Sequence, residues 1–356
     1  MNIKSRDSKY LKGACMKYNL LEKTKVSELV NALKKKYRVV GPKEKENLFV
    51  YGDIEDAGEI RLEHKPPILS LKKYYLPQEE QLLAFKFKEV KAVPVEVKKE
   101  NLVIFGAHTC DITGIICLDH ASSIEPRDSN FHKRKKNVLI IGIECLRPCD
   151  EHATCVTMDT HNPKGGFDLM LTDAGNNYIV QVNSTEGENL INEYKFLFKE
   201  SDAKSEDGLI KMRQEKEKWP RSLKVKTDDL KKTVDSGLKH KEWESVKARC
   251  VSCGNCTNVC PTCYCFDIKD DVDLNLNNGT RSRVWDSCQL KEFAEVAGGE
   301  NFRKDRKSRQ QHRLLRKFSF SVEKYNRFFC TGCGRCTRAC MAKISLYETM
   351  NNLVKE

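Results

Sequence analysis

The chain has 356 residues, enough for about two domains at roughly 150 residues each, and it is 39% hydrophobic and 32% charged with a formal charge of +12. A charged share above the roughly 25% of an average domain predicts a soluble, highly charged surface, and the apolar runs along the chain exclude general disorder. No run of about 18 apolar residues occurs, and Met1–Lys9 lacks an export core, so a cytoplasmic location without membrane insertion is expected.

Thr24–Lys36 places Val26, Leu29, Val30 and Leu33 at helical spacing. The apolar runs Tyr37–Val40, Leu48–Ile54 and Val90–Val97 read as strands, and Lys65-Pro66-Pro67 and Leu76-Pro77 break the chain between them. Gln78–Phe87 reads as a short helix. Leu102–Phe105 and Val138–Ile141, ending at Gly106 and Gly142, read as buried strands that open into loops. The first loop presents Cys110, and the second presents Cys145, Cys149 and Cys155. Phe167–Thr172 and Tyr178–Val182 read as a β-pair around the turn Asp173–Asn177. From 200 to 249 charge dominates, which predicts exposed helices and a solvated connector.

Seventeen cysteines stand in this chain. An odd number without an export signal argues against a disulfide framework and for metal ligation in a reducing compartment. Cys250-x2-Cys253-x2-Cys256-x3-Cys260-Pro261 matches the bacterial ferredoxin run, and Cys330-x2-Cys333-x2-Cys336-x3-Cys340 repeats it. Three cysteines two residues apart wrap one face of a cubane, and the fourth is carried onward to the other cluster. One [4Fe-4S] cluster is therefore expected on Cys250, Cys253, Cys256 and Cys340, and a second on Cys330, Cys333, Cys336 and Cys260. Gly254, Gly332 and Gly334 let backbone amides approach the sulfurs. Structural zinc uses two separated Cys pairs closing one tetrahedron, which fits two complete runs poorly. Met341 stands where a proline usually follows the last cysteine, but proline is not a ligand.

The insertion between the runs reads as helical over Val284–Ala297 and Phe302–Phe318. The second stretch has eight basic residues between Arg303 and Lys317, with Asp305 its sole acid. It is either a solvated face or a counter-charge to the clusters and a dock for an acidic partner. Each cluster carries about −2, so two or three of them lower +12 to about +8 or +6. That balance needs no nucleic acid. The fold class expected is α+β. Residues 1–200 form a mixed α/β domain, 201–245 a charged linker with helices, and 246–356 a mostly helical two-cluster ferredoxin-like domain with a long insertion.

The segments Cys250-Val-Ser-Cys-Gly-Asn-Cys-Thr-Asn-Val-Cys-Pro-Thr-Cys-Tyr-Cys-Phe266, Arg281-Ser-Arg-Val-Trp-Asp-Ser-Cys288, Ala297-Gly-Gly-Glu-Asn-Phe-Arg303 and Cys330-Thr-Gly-Cys-Gly-Arg-Cys336 resemble one group of iron–sulfur subunits. That group contains the iron–sulfur subunit of anaerobic sulfite reductase and the beta subunit of cytosolic nickel–iron hydrogenases (sulfhydrogenases). The resemblance spans residues 60–345, with Glu300 replacing a family-like His. It implies an electron-transfer subunit working beside a flavin-containing subunit and a catalytic metal subunit, with ferredoxin or another acidic redox protein as a further partner.

Gly106-Ala-His-Thr-Cys-Asp111 and Cys145–Cys155 are similar to the family's other cysteine-bearing loops, although Ala153 stands where a cysteine is expected and Cys149 appears earlier. Cys110, Cys145, Cys149 and Cys155 can close a third [4Fe-4S] cluster, because loops from neighbouring strand ends meet. The alternative is that they are buried small hydrophobes. Cys263, Cys265 and Cys288 are expected to be packing thiols, Trp285 a core residue, and Cys15 and Cys117 without a role. His108, His120, His152 and His161 near the third set read as structural. No Gly-x-Gly-x-x-Gly follows a strand and no Walker lysine motif occurs. No Ser-His-Asp arrangement stands out either. The expected function is a non-catalytic electron relay; the rival is a zinc-stabilised basic module that binds nucleic acid or protein.

Overall fold

Residues 18–220 and 223–354 are described by a computed structural model; Met1–Lys9 and Cys15 lie outside them. In chain order the strands are β1 (Tyr18–Glu22), β2 (Arg38–Lys45), β3 (Leu48–Asp53), β4 (Glu79–Lys86), β5 (Lys91–Pro94), β6 (Leu102–His108), β7 (Val138–Ile143), β8 (Leu169–Asp173), β9 (Asn177–Val182), β10 (Phe198–Glu200), β11 (Phe266–Val272) and β12 (Asn278–Trp285). The helices are α1 (Val26–Lys34), α2 (Thr109–Ser122), α3 (Ser129–Lys135), α4 (Thr185–Glu193), α5 (Ala203–Lys216), α6 (Leu230–Ser236), α7 (Glu242–Arg249), α8 (Asn255–Asn258), α9 (Arg306–Phe318), α10 (Phe320–Tyr325), α11 (Arg335–Arg338) and α12 (Leu346–Asn352).

One sheet has eight strands in the order β10-β1-β9-β8-β7-β6-β2-β3. Its centre, β2-β6-β7-β8, is parallel, and the flanking pairs are antiparallel. Every residue of β6 is buried, as a parallel strand covered on both faces requires. Val103 and Phe105 pack with Leu29 and Leu33 of α1 and Leu190 of α4. Leu102 and Ile104 pack on the opposite face with Ile112 and Ile115 of α2 and Phe131 of α3. The period of two thus divides one strand between two cores.

The second sheet corrects two expectations. Gln78–Phe87 is not a helix: β4 pairs with β12 on one side and β5 on the other, in the order β11-β12-β4-β5. Its Glu, Gln, Leu and Ala favour a helix, but hydrogen bonding along both edges overrides that weak preference. Val284–Ala297 is not a helix either, because Val284 and Trp285 end β12 and only the short turn Glu292–Ala294 follows. The α+β class holds, while the C-terminal part is not mostly helical. Phe302–Phe318 is helical from Arg306, where the Asp305 side chain accepts a hydrogen bond from the Ser308 N–H at 3.0 Å.

The segment read as a solvated connector carries α5, α6 and α7, and each buries apolar side chains, Leu209 from α5 among them, while Ile210 stays exposed. Leu230, Val234, Trp243 and Val246 share a core with Leu314, Phe318 and Met350. From α5, Arg213 and Lys216 reach Glu144, the residue before Cys145. Lys216 Nζ donates to Oε1 at 2.8 Å, Arg213 Nη2 to Oε2 at 2.9 Å and Thr172 Oγ1 to Oε2 at 2.8 Å. Burial pushes the Glu144 carboxyl up, but the hydrogen bond from Arg213 and the charge of Lys216 outweigh it and hold the group below its ordinary value.

Glu144→Gln is expected to cost about 3–5 kcal/mol in urea denaturation at neutral pH, because the buried Lys216 and the partly buried Arg213 lose their charged partner. A lowered carboxyl stabilises the fold above the unfolded-state value of 4.5, and that contribution disappears as pH falls through the lower folded value. The stabilities of the two proteins should therefore converge in acid.

Candidate metal centres

The two ferredoxin-type runs fold alike. Gly254 and Gly334 take left-handed φ angles of 78° and 74°, a conformation glycine adopts without strain, and each starts a single helical turn, α8 or α11. The turns are linked where Asn255 Nδ2 donates to the Ala339 carbonyl at 3.4 Å. Backbone amides point at sulfur: Ser252 N–H meets Cys250 Sγ at 3.4 Å, and Ile344 N–H meets Cys340 Sγ at 3.3 Å.

The thiols gather across the runs. Burial pushes Cys256 up to about 11; Arg313 opposes the shift, and the neighbouring Cys336, Cys340 and Cys250 add to it. Cys330 rises to about 12 by burial, with Lys317 opposing and Cys336 and Cys260 adding. Cys333 is raised by burial, opposed by Arg335, with Cys260 and Cys336 beside it. Cys340 is thus a neighbour of Cys256, and Cys260 a neighbour of Cys330 and Cys333. Cys253 is exposed, so the first set opens to the surface.

The basic helix is not a solvated face. Arg309, Arg313 and Lys317 of α9 are 5%, 3% and 4% exposed. Lys317 Nζ lies 3.0 Å from Cys260 Sγ and 3.5 Å from Cys263 Sγ, and Gln310 Nε2 lies 3.1 Å from Cys250 Sγ. The thiols that act on Arg313 include Cys256 and Cys260 of the first run, Cys336 of the second, and Cys263 just beyond the first. Its Nε and Nη2 are buried with no hydrogen-bond partner, which costs about 1–3 kcal/mol per group unless an acceptor is present. Thiolate and sulfide are such acceptors, so these residues fit iron–sulfur clusters.

The N-terminal cysteines converge at the C-terminal edge of the parallel strands. His108 and Ile143 are partners in the β6–β7 ladder, and Cys110 and Cys145 each follow two residues later. Cys145 and Cys149 hydrogen-bond to each other, and Cys149 neighbours both Cys110 and Cys155. One ring nitrogen of His108 lies within 4.8 Å of the sulfurs of Cys145 and Cys149, which also lie within 4.8 Å of each other. His161 is paired with Glu217 at 2.9 Å. Cys117, expected to have no role, is buried with its Sγ 3.7 Å from the Phe328 carbonyl.

This set abuts the second ferredoxin-type loop. A Cβ on Gly332 would lie 2.5 Å from Cys155 N and Thr154 C, and Thr154 N–H donates to the Gly332 carbonyl at 2.7 Å. Arg335, fully buried between Cys333 and Cys336, pairs with Asp111 at 2.7 Å and donates to the Pro67 carbonyl at 2.6 Å. Cys333 is in turn a neighbour of Cys110. Sequence reasoning missed Arg335, Asp111 and Glu144; adjacency to cysteine was the only signal they carried.

Two ferredoxin-type loops bonded to each other, with a buried cationic helix beside their thiols, define an iron–sulfur protein. Residues 249–344 match the family model for a 4Fe-4S dicluster domain. Over 340 residues, covering 95% of this chain and 98% of the relative, the sequence is 32% identical to sulfhydrogenase 2 subunit beta of Pyrococcus furiosus. The chain belongs to that family of iron–sulfur subunits. Among the described residues no helix is long and apolar enough to cross a membrane.

A buried cation favours the more negative, reduced state of a cluster. Lys317→Met should lower a cluster midpoint by on the order of 50–100 mV, taking an effective dielectric near 20. EPR-monitored redox titration measures this, and an unmoved midpoint would show that the charge is not felt.

Proposed function

We propose that this chain is an electron-transfer subunit that holds [4Fe-4S] clusters on three sets of cysteines. One set is Cys250, Cys253, Cys256 and Cys340, the next Cys260, Cys330, Cys333 and Cys336, and the third Cys110, Cys145, Cys149 and Cys155. The carrying observation is that the sets neighbour one another in a line: Cys256 is beside Cys336, and Cys333 is beside Cys110. When bound, the clusters supply one-electron transfer. The residues of the chain supply their surroundings. Amides and Gln310 donate to sulfur, Arg313 and Lys317 offset charge, and Arg335 holds the second loop against the third set.

The complex served is of hydrogenase type, in keeping with the sulfhydrogenase relative. Electrons pass between a flavin-containing subunit and a catalytic metal subunit, in the cytoplasm. The exposed Cys253 edge is where one of these partners, or an acidic redox protein such as a ferredoxin, docks.

Ligation is tested by substitution in the full chain with EPR and iron analysis. Cys256→Ser and Cys340→Ser should alter the same signal, although the residues lie 84 positions apart, while Cys333→Ser alters another. Loss of one shared signal in Cys340→Ser and Cys333→Ser would reject the crossed assignment. Cys145→Ser should remove iron without touching either ferredoxin-type signal.

As a relay, the purified chain should accept electrons from dithionite. Its turnover with hydrogen, sulfite or nicotinamide should be undetectable without partners.

A further inference from the structure

Three thiols belong to none of the proposed ligand sets, and they are not packing thiols. Cys263 and Cys265 follow the first run directly, and Cys288 arrives from the far end of β12. Pairing of Phe266 with Trp285 and the Asp286 N–H bond to the Cys265 carbonyl, 3.1 Å, bring the two segments together. All three thiols line one cavity of about 360 Å³, together with Arg313, Arg316 and Lys317. Cys265 and Cys288 hydrogen-bond to each other through their sulfurs. Gln289 Nε2 lies 3.4 Å from Cys288 Sγ. Cys263 hydrogen-bonds to Cys260, a member of the second ligand set, and Cys288 neighbours Cys256 of the first.

Cys117 shows the contrast. Burial pushes that thiol up to about 11, although Arg327 and Lys317 oppose the shift. Cys265 is instead held down to about 6, first by the hydrogen bond from Cys288 and further by Lys72 and Arg316. A thiolate-forming cysteine with a second thiol in contact, in a cationic cavity, is the arrangement that makes and breaks disulfides.

We propose that Cys265 and Cys288 form a redox-active dithiol that stores an electron pair beside the two ferredoxin-type clusters. On oxidation an S–S bond forms between the two sulfurs. Two electrons leave, one to each oxidised cluster, and the one remaining proton, that of the Cys288 thiol, passes through the cavity to solvent, Cys265 having already lost its own. The reverse step takes one electron from each reduced cluster and one proton, breaks the S–S bond and restores the Cys265 thiolate beside the Cys288 thiol. Cys260 through Cys263, and Cys256 beside Cys288, give each cluster its contact with the pair. The chain can thereby join a two-electron partner to one-electron carriers.

The electron acceptors rest on the cluster reading above, but the dithiol is tested without reference to iron. The iron-loaded full chain is equilibrated anaerobically in buffers of oxidised and reduced dithiothreitol. It is then acid-quenched, unfolded, alkylated and mapped by mass spectrometry. A Cys265–Cys288 disulfide should appear in the oxidised buffers, its ratio to free dithiol rising about tenfold per tenfold change in the buffer ratio, the slope of a two-electron exchange. Both cysteines alkylated at every ratio would overturn the proposal. Cys288→Ser should keep the wild-type iron content and both ferredoxin-type EPR signals. Loss of iron in that variant would make Cys288 a ligand and would also overturn it. Absence of iron from the wild-type chain would instead sink the cluster reading while leaving the mass-spectrometric result legible.

Discussion

The ion pair between Arg335 and Asp111 is the contact on which the arrangement of the metal sites depends. Both side chains are completely buried, one in a ferredoxin-type loop and the other in the first turn of α2, after the strand β6. A buried pair of this kind adds little net stability over a packed apolar pair, but breaking it costs about 3–5 kcal/mol because one charge is stranded. Its effect is therefore positional. The guanidinium also reaches the Pro67 carbonyl and lies 3.8 Å from Cys110 Sγ, while Tyr51 donates to Asp111 at 3.2 Å. These bonds place the second cysteine loop on the strand-end edge where the third set gathers.

The same economy of charge explains the basic insertion. A helix with Arg309, Arg313 and Lys317 turned inward would be prohibitively costly in an apolar core. Between two sets of thiolates it is the counter-charge that lets several anions share a small volume. The formal charge of +12 is thus partly an interior quantity. Idle donors on Arg313 and the short Lys317–Cys260 contact mark where the cluster charge is met.

Segments distant in sequence are woven together around this centre. β4 leaves the N-terminal part to pair with β12 from the insertion, with β5 on its other edge, while the β11–β12 pairing delivers Cys288 beside Cys265. The charged stretch before Cys250 gives its tryptophan and aliphatic residues to the core under α9. Its cations bind Glu144 next to Cys145. The surroundings of each cysteine set are therefore drawn from several parts of the chain.

Local sequence determined the ferredoxin-type loops, the buried parallel strands and the gathering of Cys110 and Cys145. Each is a short-range matter of cysteine spacing, a left-handed glycine, or an apolar run ending at a strand edge. The strand β4 was illegible because Glu79–Lys86 prefers a helix in isolation and takes its conformation from β12. The cationic helix was readable in composition but not in direction, because inward and outward faces differ only by what packs on them. The thiol partner of Cys265, the carboxylate partner of Arg335 and the cationic partners of Glu144 lie 23, 224 and 69 or 72 positions away. Only tertiary structure decides those pairings, because a thiol, a guanidinium or a carboxylate acquires its chemistry from the charge and burial around it.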